Sequence, residues 1–349
     1  MSEPTSEQKT SADSPQNTSP FKDETAIISS FLKVHTAYDL LPDSGKVVVV
    51  DASLSLGAGF QALVENGISS APVWDSKRVE YVALLTLADY VEVFADFYQY
   101  FTPEEFKECL EIVTIREWNK NRRLRPVIKE GSGLNGTPVE IEEKPALHAR
   151  TPLIFIHPDA SLLDSSKVLL THHFHRGPVM DTETNTVLHI LTHARLLRFI
   201  VVYANWTQDS RILEHTLEEV KIGNFGSLVT VRDSTPLHEV FSILNKSSVT
   251  AVPVLDANDT VIGLYSMSDV RFLPLDRIYD SMNMTVREAL ENRPNGLALH
   301  TCMITDKLKT IMATLARQSI HRVMVVDEDN HLKGILSIND LLRFFINTE

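Results

Sequence analysis

The sequence predicts an α/β fold built from four tandem βαββα units, paired two by two. Two observations predict it. The first is an internal repeat: Ser70-Ala-Pro-Val-Trp-Asp75, His175-Arg-Gly-Pro-Val-Met-Asp181, Thr250-Ala-Val-Pro-Val-Leu-Asp256 and His321-Arg-Val-Met-Val-Val-Asp327 each read as a short β run closing on Asp. The second is the segment after each closing Asp: a polar turn, a second β run, and a hydroxyl residue that opens a helix.

The elements come in a fixed order within each unit. A strand such as Val47–Val50 comes first. Helical apolar spacing then runs over 60–65, 161–170, 237–244 and 308–315, behind the turn and cap residues Asp51-Ala-Ser53, His157-Pro-Asp159, Asp233-Ser-Thr-Pro236 and Thr305-Asp306. The Asp-terminated strand pairs with Tyr81–Thr86, Val187–Thr192, Val261–Ser266 or Leu332–Ser337. Three residues beyond each closing Ser or Thr stands Asp89, Arg195, Asp269 or Asp340. A hydroxyl followed at i+3 by an acid caps a helix, because the hydroxyl accepts a free N–H and the acid sits at the positive end of the dipole. One unit of about 60 residues leaves its sheet half covered, so the units pair.

Composition narrows the function classes. The 349 residues carry 33 Lys plus Arg against 46 Asp plus Glu, a formal charge of −13. That acidity argues against broad binding to nucleic acid or anionic membranes, while a small anion needs only a local cation cluster. Cys109 and Cys302 stand alone, so neither a disulfide framework nor a zinc ribbon is expected, and the compartment is expected to be reducing. No apolar run approaches the ~18 residues of a membrane span, and the polar N-terminus shows no secretory segment. Asn135-Gly-Thr137 and similar matches are therefore read as chance. The expected layout is a disordered tail over 1–23, repeats over 36–98, 151–205, 222–277 and 293–349, and an insertion over 129–150.

A βαββα unit of this size, present four times, resembles the cystathionine-β-synthase (CBS) type of nucleotide-sensing repeat. Phe31-Leu-Lys-Val-His-Thr-Ala-Tyr-Asp-Leu-Leu-Pro42, Ser70-Ala-Pro-Val-Trp-Asp-Ser-Lys77, Leu84-Leu-Thr-Leu-Ala-Asp89, Ile190-Leu-Thr-His193, Ser281-Met-Asn-Met-Thr-Val-Arg-Glu-Ala-Leu290 and Val323-Met-Val-Val-Asp327 are together similar to the γ regulatory subunits of AMP-activated protein kinase. The resemblance covers roughly residues 27–347. It implies CBS repeats paired into two modules that form a flattened disc.

A mononucleotide needs a carboxylate for the ribose, a slot for the base, and cations for the phosphate. The resemblance gives the ribose role to Asp89, Asp269 and Asp340, with repeat two carrying Arg195 instead. Capping alone explains one such acid, but three at one repeat position favour a ligand. The phosphate role falls to His175, Arg176, His321 and Arg322, with Arg198 and Arg293 as further candidates. Thr86, Thr192, Thr250, Ala251, Ser266 and Ser337 would line the base and cap positions. The sequence departs from the family at Thr36, Ala194 and Ser248, where cations are often found, and at Asn339. Each lost charge-assisted contact is worth roughly 1.5–3 kcal/mol. The site around Asp340 is therefore the best supported, that of Asp269 second, and that of Asp89 third.

His172, His173 and His175 do not have metal-ligand spacing, and no metal is expected. No P-loop, nucleophile elbow, zinc-protease or kinase motif is present, so no catalytic residue is expected. The implied function is a non-catalytic energy-sensing subunit binding AMP, ADP and ATP in competition. It would work with a kinase catalytic α subunit and a scaffold β subunit, in the cytoplasm and the nucleus. The alternative is a structural γ-like subunit with weak or no nucleotide binding.

Overall fold

The computed structural model describes residues 21–42, 45–120, 153–204, 211–294, 296 and 299–346. The expected tail lies outside the described residues as far as residue 20, and the 129–150 insertion lies wholly outside them. Lys22 and Asp23, assigned to the tail, open helix α1 (Lys22–Val34). Its apolar face, with Ile28 and Leu32, enters the core.

The first repeat runs β1 (Val50–Asp51), α2 (Leu56–Glu65), β2 (Ser70–Asp75), β3 (Glu80–Thr86) and α3 (Leu87–Tyr100). Helices α4 (Pro103–Ile112) and α5 (Ile115–Lys120) come next. The second repeat has α6 (Leu162–Thr171), β4 (Arg176–Asp181), β5 (Thr186–Thr192) and α7 (His193–Tyr203). Its first strand is reduced to one parallel bridge from Ile156 to Val179. Helix α8 (Leu217–Val220) leads to the third: β6 (Val231–Arg232), α9 (Leu237–Lys246), β7 (Ala251–Leu255), β8 (Val261–Ser266) and a 3-10 helix, Met267–Phe272. Then come α10 (Ile278–Ser281) and α11 (Val286–Glu291). The fourth has β9 (Thr301–Cys302), α12 (Leu308–Gln318), β10 (Arg322–Val326), β11 (Leu332–Ser337) and α13 (Ile338–Ile346).

The first strand is shorter than its sequence suggests. Only Val50 and Asp51 pair, in parallel with Val73 and Trp74, so Val47–Val49 stay outside the ladder. The third repeat also departs, because its closing helix is 3-10. Leu273-Pro274 stops it: proline cannot donate to a helix and pushes the preceding residue to extended backbone.

The four hairpins share their construction. Asp75, Asp181, Asp256 and Asp327 each accept the N–H two residues on, from Lys77, Glu183, Asn258 and Asp329, which starts the turn. A register shift falls between Val73 and Trp74, Val179 and Met180, Val254 and Leu255, and Val325 and Val326. Each turn also needs one left-handed residue. Asn185 (φ 49°), Asp259 (62°) and Asn330 (63°) suit it, whereas Val79 (58°) is β-branched. Val79 is 66% exposed and so buries little in compensation. Val79→Asn is expected to stabilise the chain by about 1 kcal/mol through relief of that strain. An unchanged urea midpoint would contradict this.

Helices of alternate repeats form the two large cores. One joins Phe60, Tyr90 and Phe94 of the first repeat to Val240, Phe241 and Tyr265 of the third. The other joins Leu169, Leu196 and Leu197 of the second to Ile311, Leu341 and Phe345 of the fourth, closed by Ile28 and Leu32 of α1. Each fully buried ring or branched side chain is worth about 1.5–3 kcal/mol. The sheets of the third and fourth repeats meet separately through Val261, Met324 and Val326. The two-by-two pairing thus uses two kinds of contact, and helix burial is the larger.

Candidate functional site

The start of each hairpin fixes a pair of residues. The carbonyls of Ser69, His175, Thr250 and His321 accept from the first helical N–H beyond the hairpin, that of Leu87, His193, Met267 or Ile338. The residues after them, Ser70, Arg176, Ala251 and Arg322, pair with the helix-capping Thr86, Thr192, Ser266 and Ser337. The equivalent pairs are therefore Ser69-Ser70, His175-Arg176, Thr250-Ala251 and His321-Arg322. Two repeats supply His-Arg and two supply small or hydroxyl residues.

These starts converge on one cavity of about 2650 Å³, lined by all four repeats. A single small-molecule site is usually about 300–1,000 Å³, so there is room for more than one ligand of that size. Thr86, Asp89, His175, Arg176, Thr250, Ala251, Ser266, Asp269, Arg293, His321, Arg322, Ser337 and Asp340 all line it. Among the departures, Ser248 and Asn339 line it too, while Thr36 and Ala194 do not.

The arginines at its hub are held by uncharged oxygens of neighbouring repeats. Arg322 Nη2 donates to Thr250 Oγ1 at 2.6 Å, and Arg176 Nη1 donates to Ser70 Oγ at 3.3 Å. By contrast, Arg116 and Arg287 sit on the carboxylates of Asp75 and Asp233. Burial pushes the Arg322 guanidinium down to about 10 despite the pull of the Asp340 and Asp269 charges. Burial and repulsion from Arg271 also lower Arg176. Burial, helped by the arginine charges, holds His175 and His321 down to about 4. Both rings expose surface to the cavity, where solvent screens part of this effect.

The three acids cap helices and face the cavity at once. Asp89 Oδ2 accepts from the Thr86 N–H and hydroxyl, each at 2.7 Å. Asp340 Oδ2 accepts from Ser337 N–H at 2.8 Å and its hydroxyl at 2.7 Å. Asp269 Oδ2 accepts from Ser266 in the same way, at 2.6 and 2.7 Å. In each box the capping bonds use a single carboxylate oxygen.

Three sequence-based candidates are placed differently from the rest. Arg293 does not stand free at the hub: its Nη2 donates to Asp269 Oδ2 at 2.6 Å and to the Leu264 carbonyl at 2.7 Å. Burial still raises the Asp269 pKa, with Arg293 opposing it. Arg198 is exposed on α7 and does not line the cavity, because its helical position turns it to the outer surface. Thr192 lines a separate cavity of about 240 Å³ with Ser70 and His189. That volume falls below a usual ligand site. Arg195, in place of the acid, reaches the Leu40 carbonyl at 3.1 Å and His189 Nε2 at 2.9 Å.

Two cavity residues had no assigned role. His193 is 4% exposed, and its Nε2 has no hydrogen-bond partner among the described residues. Burial and the neighbouring hub charges push this ring down to about 3. Its place at the first helical position after Thr192, beside the hub, was the available signal. Arg271 also lines the cavity, donating from Nη2 to Ser69 Oγ at 2.8 Å and from Nε to the Ser268 carbonyl at 2.9 Å. Among the described residues, no group of three or more His, Cys, Asp or Glu side chains could hold a metal ion, and no helix is long and apolar enough to cross a membrane.

The CBS-domain sequence profile matches residues 146–202, 226–276 and 298–347. Three segments of the chain thus match the CBS domain. The first repeat lies outside those matches but has the same order of elements. The chain is 32% identical over 321 residues to human 5'-AMP-activated protein kinase subunit gamma-3, covering 92% of this chain and 60% of that one. It is 31% identical over 333 residues to the gamma subunit of Dictyostelium discoideum, covering 92% of this chain and 53% of that one. The chain thus spans little more than half the length of the curated relatives it matches. A crystal structure from Methanocaldococcus jannaschii, described as a putative archaeal homologue of the AMPK γ subunit, has the same fold. It superposes with a TM-score of 0.65 at 16% identity, covering 89% of this chain and 99% of that one.

Proposed function

We propose that the chain is a non-catalytic regulatory subunit of an AMP-activated protein kinase heterotrimer, sensing AMP, ADP and ATP in competition. The observation that carries this is the hub itself. Arg176, Arg271 and Arg322 line one cavity with their guanidiniums held by hydroxyls, while Asp89, Asp269 and Asp340 stand around it. Among the described residues these three guanidiniums have no carboxylate clamp, which suits phosphate, and the capped acids suit ribose hydroxyls.

The three nucleotides share adenine and ribose, so discrimination arises at the phosphate end. A ligand shifts a two-state subunit only through different affinities for the two states. The hub joins all four repeats, so phosphate contacts made there can change how the repeats sit together. A kinase α subunit and a scaffold β subunit would receive that change, in the cytoplasm and the nucleus.

Calorimetric titration of the full chain tests the sensing function. AMP, ADP and ATP are expected to bind and to displace one another. Absence of binding by all three at millimolar concentration would instead support a structural γ-like subunit. Two observations favour that second function: Ser248 adds no charge to the cavity, and Arg293 already occupies Asp269. Co-purification with kinase α and β subunits is expected under either function. Its absence from native cells would contradict both.

A further inference from the structure

Ser69 and Ser70 are consecutive, yet they hold guanidiniums from two different repeats. Ser70 Oγ accepts from Arg176 of the second repeat at 3.3 Å. Ser69 Oγ accepts from Arg271 of the third at 2.8 Å. The two arginines lie close enough for the charge of Arg271 to bear on Arg176, and both line the large cavity. Arg271 is tethered further through Nε to the Ser268 carbonyl. Both of these hydrogen-bond partners are uncharged oxygens. A guanidinium donates through five N–H groups in a rigid fork, so these two bonds leave donors for an anion.

We propose that Arg271 and Arg176 form a two-arginine clamp for the phosphate chain of the bound nucleotide, braced by Ser69 and Ser70. The proposal rests on the nucleotide-sensing function above and adds a reader of phosphate number to it. Two adjacent cations favour ligands with two or three phosphates over those with one. Asp269, whose Oδ2 is taken by Ser266 and Arg293, stands two residues before Arg271 on the same 3-10 helix and so puts a carboxylate beside the clamp. The clamp also ties the first repeat to the second and third, so an anion seated there touches two repeats directly and the first through its serines.

The test compares the full-length wild-type chain with Arg271→Gln, Arg271→Lys and Ser69→Ala. Calorimetric probes are ATP, AMP, adenosine and inorganic tripolyphosphate. Arg271→Gln is expected to weaken ATP and tripolyphosphate about tenfold to 100-fold, weaken AMP less, and leave adenosine unchanged. Arg271→Lys, which keeps the charge but loses the fork, is expected to recover part of the loss. Ser69→Ala removes only the brace and is expected to weaken ATP severalfold with an unchanged melting temperature. If the wild type binds ATP and Arg271→Gln binds it equally well, the clamp is overturned while nucleotide sensing stands. Equal losses for adenosine and ATP would also overturn it. If the wild type binds none of the four probes, clamp and sensing function fall together.

Discussion

Arg322→Ala is expected to weaken AMP binding by about tenfold to 150-fold, the loss of charge-assisted hydrogen bonds to phosphate. The side chain reaches the hub from the start of β10, steadied by Thr250. Its charge also helps to lower both His175 and His321. Removing it should therefore raise the pKa of each ring, a change visible by NMR titration. A residue with only a packing role would move neither reading. Unchanged AMP affinity together with unmoved histidine titrations would remove Arg322 from the site.

The second large effect is a loss of stability in acid. His189 is 8% exposed and His193 4% exposed. Burial, helped by Arg195, holds His189 down to about 4, and burial beside the hub holds His193 down to about 3. The unfolded chain titrates these rings near pH 6.5, so below that pH it binds protons the folded chain does not. Their full contribution is present above pH 6.5 and declines as the pH falls towards the folded values. Each ring is expected to cost about 2 kcal/mol of stability between pH 6.5 and 5. Urea unfolding at the two pH values measures the loss, and His189→Gln with His193→Gln should flatten the slope. A wild-type slope equal to that of the double variant would contradict the assignment.

Much of the fold was legible because each hairpin carries its own instructions. The Asp at the end of the first hairpin strand starts the turn, and the Ser or Thr at the end of the second starts the helix. Both act within four residues, so sequence alone exposes them. The first strands were harder: β1 needs β2 beside it, and pairing reaches only one of the four valines. The helices between repeats have no place in the expected layout, although Thr102 with Glu105, Thr216 with Glu219 and Thr285 with Glu288 form capping boxes that the sequence displays.

The candidate site's lining was legible where repetition marked it. Asp269, Asp340, His175-Arg176 and His321-Arg322 recur at fixed places in the repeat. Arg293 was recognised as a cation, but its carboxylate partner is 24 residues away and only the fold brings the two together. Arg271 was hidden by helix type. Two residues after Asp269, an α-helix would turn it roughly 160° away. The 3-10 helix reduces that to roughly 120°, and the side chain folds back to Ser268 and across to Ser69.

The most direct test is a crystal structure of the full chain grown with AMP. AMP is expected in the central cavity, with its ribose hydroxyls on Asp340 and its phosphate within hydrogen-bond distance of Arg322 and Arg176. AMP seated elsewhere, or a cavity still empty at saturating AMP, would contradict it.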